Sequence, residues 1–398
     1  MASLPVLVLN SGSSSIKFSI YEAGGDSRVQ ILEGAVEGIG TDQGKFWIKP
    51  SSGDNPVSQE RAMPTISEAF SLVAEALRSG NFAIPEAIGH RVVSGGPTVL
   101  ENQRITPELI DEIERYVDFA PLHTPAAVFI MRESMRLFPG VPNFACLDTW
   151  FHRTMPEVAR ELPIPHEYVV MGVRRYGAHG ISYESIVHQL QPHVPEKLIV
   201  AHLGNGSSIS AIRDGTSLDT SMGLTPTGGI ISATRTGDID PGVLLFILRK
   251  IAATTPSTKE AADQLEAVAS EKAGLLGVSG VSSDMRDLRR AIQKGNVQAR
   301  LAVDQFIHTI RKFIGAYIAE LGGIDMLVLT GGIGVNDTET RAEICAGLEP
   351  LGIVLDPARN NVRGAATIST SASRVEIRVI PPEEDLMIVN HVVRLLGS

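Results

Sequence analysis

The chain has 398 residues, of which 43% are hydrophobic and 20% are charged, so it is long enough for two folded domains of about 150 to 200 residues each. Its formal net charge of -10 argues against a nucleic-acid-binding protein, and no apolar run approaches the roughly 18 residues of a membrane span. Two cysteines, Cys146 and Cys345, form no disulfide framework or metal motif, which makes the cytoplasm the expected compartment.

The first predicted element is a β-hairpin over residues 6–20, in which two apolar runs flank a polar turn at residues 10–15. The turn contains glycine and serine, so bare backbone and hydroxyl groups can approach a bound phosphate. It is not a Walker A loop, because the pattern G-x-x-x-x-G-K-[ST] is missing. Taken alone, it is an ordinary hairpin turn.

The rest of the first half predicts an antiparallel meander followed by helices. Apolar and polar residues alternate over residues 33–57. Thr65 and Glu68 fit a capping box before one helix, and prolines after Thr106 and Thr124 mark the start of two more. Charged residues at strand ends and helix starts commonly line a crevice. The segments of this kind are residues 90–96, 121–125 and 147–152.

The second half repeats this order of elements. Residues 198–212 predict another hairpin with a glycine- and serine-rich tip, and a long helix over residues 299–321 ends at Gly322. Two such tips facing each other would hold a chain of phosphates between them. The duplication therefore predicts a two-lobed nucleotide clamp.

A third turn, at residues 330–336, follows a buried-type strand and precedes a helix predicted over residues 338–348. Its glycines would let a flat base or ribose lie against bare backbone beside a helix N-terminus. A closing helix is predicted over residues 383–396. Because the net charge is negative, an anionic ligand needs cations gathered locally. The candidate cations are Arg91, Arg174, Arg175 and Arg235.

Two signatures make the chain similar to the acetokinase family: VLNSGSSSIK at residues 8–17, and the run from DTSMG to TRTGDIDP at residues 219–241. Further matches in the expected order reach residues 384–388, so the resemblance spans nearly the whole chain. It implies an α/β fold with two lobes, each with a duplicated βββαβαβα core (actin-like ATPase, ribonuclease H-like), and a central cleft. We assign residues 1–150 plus 383–398 to the first lobe and 151–382 to the second.

The resemblance also implies a reaction and a set of roles. The reaction is reversible, direct in-line transfer of the γ-phosphoryl group of ATP to a short-chain carboxylate, giving acyl phosphate and ADP with Mg²⁺, for which Mn²⁺ can substitute. The implied catalytic residues are Arg91, His123, Asp148, His179 and Arg235, with Asn10 and Glu384 at the metal. The implied nucleotide and phosphate ligands are Ser13, Ser15, Lys17, His202, Gly204, Asn205, Gly206, Gly331, Gly332, Ile333, Gly334 and Asn336. The implied acyl-site residues are Arg91, Val93, Leu122, Ala178 and Pro226.

Asp148 can also be interpreted without the family. A sugar kinase needs a carboxylate that takes a proton from a hydroxyl group, but a carboxylic acid with a pKa of about 4 to 5 is already ionised at neutral pH. No general base is required, so we expect Asp148 to orient Arg91 or a metal-bound water. We also expect a pH profile without an essential base titrating near 7.

Several positions depart from the family pattern. Ala178 replaces a phenylalanine that packs against the methyl end of acetate, so the acyl site is expected to admit a longer chain and to use propionate at least comparably. Val335 and Gly228 replace glutamates. These changes leave two questions open: which nucleotide base is preferred, and whether pyrophosphate is the phosphoryl donor. Residues 94–97 read Ser-Gly-Gly-Pro where the family has His-Gly-Gly-Glu.

Two other readings compete with an acyl kinase. One is an actin-like or chaperone-like nucleotide switch, which needs no arginine pair for a carboxylate. The other is a sugar or butyrate kinase, which only the substrate distinguishes. The expected partners are a small carboxylate and a nucleotide, with neither nucleic acid nor membrane, and the resemblance implies a homodimer formed through the second lobe.

Overall fold

The computed structural model describes residues 3–12, 14–53, 56–79 and 84–397. The chain divides into two compact units, Met1–Trp150 with Glu383–Ser398 and Phe151–Pro382. Among the residues described, no helix is both long and apolar enough to cross a membrane.

The first unit is built on an eight-stranded sheet. Its strands are β1 (Leu4–Ser11), β2 (Ser15–Gly24), β3 (Ser27–Glu37), β4 (Thr41–Pro50), β5 (Val57–Met63), β6 (Ala87–Val92), β7 (Gln103–Arg104) and β8 (Asn143–Leu147). They lie in the order β5-β4-β3-β2-β1-β6-β8-β7. Strands β1 to β5 form the predicted antiparallel meander, whereas β6 runs parallel to β1 and β8 runs parallel to β6.

Within the described part of this unit there are four helices: α1 (Ile66–Ser79), α2 (Pro107–Arg115), α3 (Thr124–Leu137) and the closing helix α14 (Glu384–Leu396). The predicted capping box at α1 is present, because Thr65 Oγ1 accepts from the Glu68 amide at 3.2 Å and donates to its carboxylate at 3.3 Å. Helix α14 packs on the parallel part of the sheet. A Cβ on Gly89 of β6 would lie only 2.4 Å from Ile388, so glycine permits this close approach.

The second unit contains a six-stranded sheet in the order β11-β10-β9-β12-β14-β13. Its strands are β9 (Lys197–Leu203), β10 (Ser207–Arg213), β11 (Thr216–Thr220), β12 (Met326–Thr330), β13 (Ala366–Thr367) and β14 (Glu376–Val379). Strands β9 to β11 are antiparallel, β12 is parallel to β9, and β14 is parallel to β12. In each sheet, three antiparallel neighbours (β3-β2-β1 and β11-β10-β9) are followed by two strands that run parallel to the first (β6-β8 and β12-β14), which is the duplication predicted from the two hairpins.

Ten helices belong to the second unit. They are α4 (Glu157–Arg160), α5 (His166–Val170), α6 (Gly180–Leu190), α7 (Pro241–Ala252), α8 (Thr258–Ser270), α9 (Gly274–Ser279), α10 (Met285–Gln293), α11 (Val297–Leu321), α12 (Gly331–Asn336) and α13 (Thr338–Cys345). Short 3₁₀ turns cover Val117–Phe119, Trp150–Thr154 and Glu349–Leu351. Helix α11 packs its apolar side into the core and ends, as predicted, at Gly322 in the left-handed conformation.

Two predicted boundaries were wrong. The third glycine turn is itself the short helix α12, because Gly331, with φ of 77°, turns the chain directly from β12 into the helix. The helix expected to run to residue 348 ends at Cys345. In addition, His90 and Arg91 lie within β6 rather than after it.

Candidate active site

In the first unit, three predicted residues lie at the carboxyl ends of neighbouring strands. Asn10 is near the end of β1, Arg91 is near the end of β6, and Asp148 directly follows β8. Arg91 Nη1 donates to Asn10 Oδ1 at 3.1 Å, and Arg91 Nη2 donates to Asp148 Oδ2 at 2.5 Å. The side chain of Asp148 is only 1% exposed, whereas that of Arg91 is 16% exposed. Asp148 and Asn10 therefore hold the guanidinium group, and part of the Arg91 side chain stays accessible.

Acidic residues at the start of α14 add to this cluster. Burial by itself lowers the pKa of Arg91, but the charges of Asp148 and Glu384 and the hydrogen bond that Arg91 donates to Asp148 outweigh it and raise the pKa above its usual value. Burial raises the pKa of Asp385, whose carboxylate accepts a hydrogen bond from Ser19 at 2.6 Å. Arg91 thus stays charged under all ordinary conditions.

The oxygen donors of this cluster fit Mg²⁺, which binds through one or two carboxylates and completes its shell with water and phosphate oxygens. Glu384 supplies a half-buried carboxylate and Asn10 an amide oxygen. Among the residues described, no group of three or more His, Cys, Asp or Glu side chains could hold a metal without other ligands. The chemistry of the donors suits a metal that arrives with a phosphorylated ligand.

The other predicted residues of the first unit lie at the same sheet or beside it. Lys17 pairs with Asn10 across the first hairpin and is exposed, and Ser15 begins β2. Val93 is buried, Leu122 is half-buried, and His123 is the N-cap residue of α3. Ser13, predicted to bind phosphate, lies outside the described residues.

In the second unit, His179 and Arg235 converge on the tip of the second hairpin. A Cβ built on Gly206 would lie 3.2 Å from Arg235 Nη1 and 3.3 Å from His179 Nε2. Two side-chain nitrogen atoms from separate segments therefore lie close to one point beside the backbone of Gly206. Arg235 Nη1 also donates to the carbonyl oxygen of Pro226 at 3.2 Å, and the Ala233 amide donates to the Asn205 carbonyl at 3.0 Å.

The imidazole of His179 is held by a stack and a hydrogen-bond chain. Its ring stacks on His202 with centroids 4.2 Å apart and planes 20° apart. His179 Nδ1 lies 2.8 Å from Ser208 Oγ, and His202 Nδ1 lies 2.8 Å from Ser182 Oγ. With each Nδ1 engaged by a serine, His179 presents Nε2 toward Gly206.

The third glycine segment meets the second hairpin near His202. A Cβ on Gly204 would lie 3.8 Å from His202 Nε2 and 3.9 Å from the Gly332 amide nitrogen. Gly332 and Asn336 are exposed on α12, Ile333 is half-buried, and Gly334 is buried. Exposed backbone at the start of α12 and the tip of the hairpin thus border one surface of the second unit.

Sequence reasoning missed two arginines of this unit in different ways. Arg175 was expected to bind an anion. It instead donates to the carbonyl oxygens of Ala159 and Thr220 at 3.0 and 2.7 Å, so its guanidinium group forms hydrogen bonds within the fold. Arg341, which attracted no attention, is fully buried and donates to the carbonyl oxygens of Gly334 and Val335 at the end of α12. The sequence around a single arginine in a helix does not indicate that the arginine is buried, because only the folded structure places its hydrogen-bond partners next to it.

His152 contacts the segment that contains Ala178. Its Nε2 lies 3.1 Å from the carbonyl oxygen of Ala178, and its Nδ1 lies 2.8 Å from Ser217 Oγ. A carbonyl oxygen only accepts, so Nε2 carries the proton and Nδ1 accepts from the serine. Burial, with a contribution from Arg175, lowers the pKa of His152 to about 4, and the ring is neutral at neutral pH.

We expect the free energy of unfolding to fall between pH 7 and pH 5. Burial also lowers the pKa of His90 to about 4. Because both histidines have a pKa near 6.5 in the unfolded chain, that state takes up protons in this range and the folded state does not, which costs about 2 kcal/mol per histidine by pH 5. The raised pKa values of Asp219 and Asp385 act in the opposite direction at more acidic pH.

Urea titrations at several pH values test this expectation. The variant His90→Gln should show a shallower pH dependence than the wild-type chain, because it lacks one of the two titrating groups. Equal stability at pH 7 and pH 5 would contradict the assigned protonation.

Comparisons with known proteins agree over the full length of the chain. A model of the Acetokinase family matches residues 5–390. An acetate kinase from Geobacillus sp. (strain WCH70) is 39% identical over 98% of both chains, and one from Bacteroides fragilis is 40% identical over 99% of this chain and 100% of its own.

Solved structures are similar as well. An acetate kinase from Porphyromonas gingivalis has a TM-score of 0.84 and 36% identity, covering 99% of this chain and 100% of its own. A propionate kinase from Francisella tularensis has a TM-score of 0.89 and 34% identity, covering 98% and 100%. These likenesses confirm the predicted actin-like ATPase fold class. Since the family model and relatives at this identity cover nearly the whole sequence, the chain belongs to the acetokinase family.

Proposed function

We propose that this protein is an acetate kinase, which transfers the γ-phosphoryl group of ATP reversibly to a short-chain carboxylate and so forms an acyl phosphate and ADP. The observation that carries the proposal is the convergence of His179 Nε2 and Arg235 Nη1 within 3.3 Å of one point at Gly206, in a chain of this family. Phosphoryl transfer asks a protein chiefly to position the reactants and to neutralise charge, and these donors suit that task.

Two groups of residues divide the chemistry in this proposal. The guanidinium group of Arg91, held by Asp148 and Asn10, binds the carboxylate through two parallel hydrogen bonds. His179 and Arg235 donate to the equatorial oxygens of the phosphoryl group as charge spreads over them in the transition state. The nucleotide lies on the exposed backbone at residues 204–206 and at the start of α12.

Mg²⁺ fits the oxygen donors of the first unit, where Glu384 and Asn10 would hold it through water molecules. When bound, it would neutralise charge on the phosphates. Asp148 needs no proton-accepting role, because the carboxylate substrate is already ionised at neutral pH. Its ion pair with Arg91 supports an orienting role instead. Both cysteines, Cys146 and Cys345, are buried, and so small a number of cysteines fits the cytoplasm as the compartment.

We expect propionate to be phosphorylated at least comparably to acetate. Ala178 is buried and carries only a methyl group at a position of the acyl site, so an extra methylene costs little there. The measurement is acyl phosphate trapped with hydroxylamine after incubation with ATP, Mg²⁺ and each of acetate, propionate, butyrate and glycerol. A kcat/KM for propionate about a hundredfold below that for acetate would contradict the prediction.

The same assay tests the proposed function. Hydroxamate formed with a short carboxylate supports the acyl kinase. ATP hydrolysis that no carboxylate stimulates would favour a nucleotide switch, and phosphorylated glycerol without hydroxamate would favour a sugar kinase.

We further propose a homodimer formed through the second unit. Helix α7 supports this, because none of its residues is buried although its sequence is mainly apolar, with Leu245 and Phe246 at 51% and 59% exposure. Large exposed apolar patches mark interaction sites. Sedimentation velocity should show a dimer that Phe246→Glu dissociates, and a wild-type monomer at micromolar concentration would contradict the proposal.

A further inference from the structure

We infer that His152 is a positioning residue for the acyl-transfer site, where it controls acyl-chain selectivity through Ala178 and the transfer rate through His179. The inference rests on the proposed function and deepens it. It concerns a residue that contacts neither a reacting group nor a phosphate loop, but that reaches the site by two separate routes.

The first route is the backbone of residues 177–179, here called the acyl strap. His152 Nε2–H donates to the Ala178 carbonyl at 3.1 Å. Its ring also lies against Gly177, where a Cβ would come within 2.6 Å of His152 Cδ2 and 2.5 Å of Thr220 Cγ2. The backbone at Gly177 thus packs closely against both the His152 ring and Thr220 at the end of β11.

This close packing matters because His179 adopts an unusual backbone conformation. Its φ of 58° lies in the left-handed region, which costs energy for a residue with a side chain and persists only where neighbours enforce it. The hydrogen bond to the preceding carbonyl group fixes the peptide that enters this residue. His152 therefore stabilises the backbone conformation from which the imidazole of His179 projects.

The second route runs through side chains. The ring of His152 packs edge-on against Tyr183, with centroids 5.5 Å apart. The Tyr183 hydroxyl group shares a 2.5 Å hydrogen bond with Ser208 Oγ, which in turn lies 2.8 Å from His179 Nδ1. Removing His152 would loosen both the backbone and the side-chain support of the same imidazole.

The neutral ring is itself anchored, because Ser217 Oγ–H donates to Nδ1 and so selects the tautomer that donates to Ala178. His152 is 1% exposed, and both ring nitrogens are used inside the fold. Glutamine can place its amide group near Nε2 and keep the bond to Ala178, whereas phenylalanine keeps the ring shape and loses both hydrogen bonds.

The experiment compares His152→Phe, His152→Gln and Ser217→Ala with the wild-type enzyme in the hydroxamate assay. We expect His152→Phe to lower kcat by about 10-fold to 100-fold, since small misplacements of this kind carry such costs. We expect the ratio of kcat/KM for butyrate to that for acetate to rise by about tenfold, because Ala178 is no longer held in place. The KM for ATP should not change, and His152→Gln should restore most of the rate and selectivity.

The matched control is His391→Gln, which alters another buried histidine in the first unit. It should change stability without changing the selectivity ratio. A wild-type ratio and kcat in folded His152→Phe would overturn the inference. If that variant does not fold, Ser217→Ala decides, because it removes only the anchor of the ring: a raised ratio supports the inference, and a wild-type ratio overturns it. A wild-type enzyme that forms no hydroxamate would instead refute the proposed function.

Discussion

Replacing Arg91 by alanine should lower kcat/KM for carboxylate phosphorylation by about 10²-fold or more, since the charged group that binds and orients the acceptor carboxylate is removed. The KM for the carboxylate should rise as well, because the guanidinium fork is lost. Initial rates over a range of acetate concentrations, with saturating ATP, measure both effects.

The same substitution should also destabilise the first unit. Asp148 is 1% exposed and would lose its ion-pair partner, and breaking a buried pair in this way costs about 3 to 5 kcal/mol, less here because Arg91 itself is partly exposed. The double variant Arg91→Ala/Asp148→Asn removes the stranded charge. It should regain most of the stability while staying inactive, which separates loss of chemistry from loss of folding.

Arg132→Ala is the matched control, because this arginine of the same unit forms only exposed ion pairs with Asp111 and Glu114. Such pairs contribute about 1 kcal/mol or less. Its activity should be that of the wild type. A double variant that is stable and active would show that Arg91 has no role in the reaction.

Replacing Gly206 by alanine should lower kcat by about 10²-fold, although it removes no polar group. The new methyl group would lie 3.2 Å from Arg235 Nη1 and 3.3 Å from His179 Nε2, at the point where both nitrogens converge. It would either occupy the space of a phosphoryl oxygen or push one donor aside. The change is measured as kcat at saturating ATP and acetate, with far-UV circular dichroism as the check on folding.

Gly315→Ala provides the control for adding a methyl group. A Cβ at Gly315 would meet no atom within 4 Å, and alanine favours the helical conformation of α11 by about 1 kcal/mol. This variant should be slightly more stable and fully active. If Gly206→Ala keeps the wild-type kcat, the convergence of His179 and Arg235 at that point does not serve the reaction.

Local chemistry explains why much of the fold could be predicted. The two hairpins follow from alternating apolar runs around glycine-rich turns, and the start of α1 follows from the capping box at Thr65. The end of α11 follows from Gly322. These signals act over a few residues, so the sequence determines them without help from the rest of the chain.

Prediction was wrong or silent where partners come from distant parts of the chain. The residues near Arg175 do not indicate its hydrogen bonds to the carbonyl oxygens of Ala159 and Thr220, which lie 16 and 45 positions away. The residues near Arg341 do not indicate its hydrogen bonds to the carbonyl oxygens of Asn360 and Val362, which lie 19 and 21 positions away. The contact of His152 with Ala178 joins residues 26 positions apart and depends on the packing of β11 against the acyl strap.

The sequence by itself determined the two glycine-rich hairpins, the start of α1 and the end of α11, because these depend on short motifs, and the family resemblance supplied the candidate site residues. Only the tertiary structure decided which of them meet: Arg91 with Asn10 and Asp148, and His179 with His202 and the tip at Gly206. The reason is physical, since the direction of a side chain and the burial of a charge are set by packing between segments far apart in the chain.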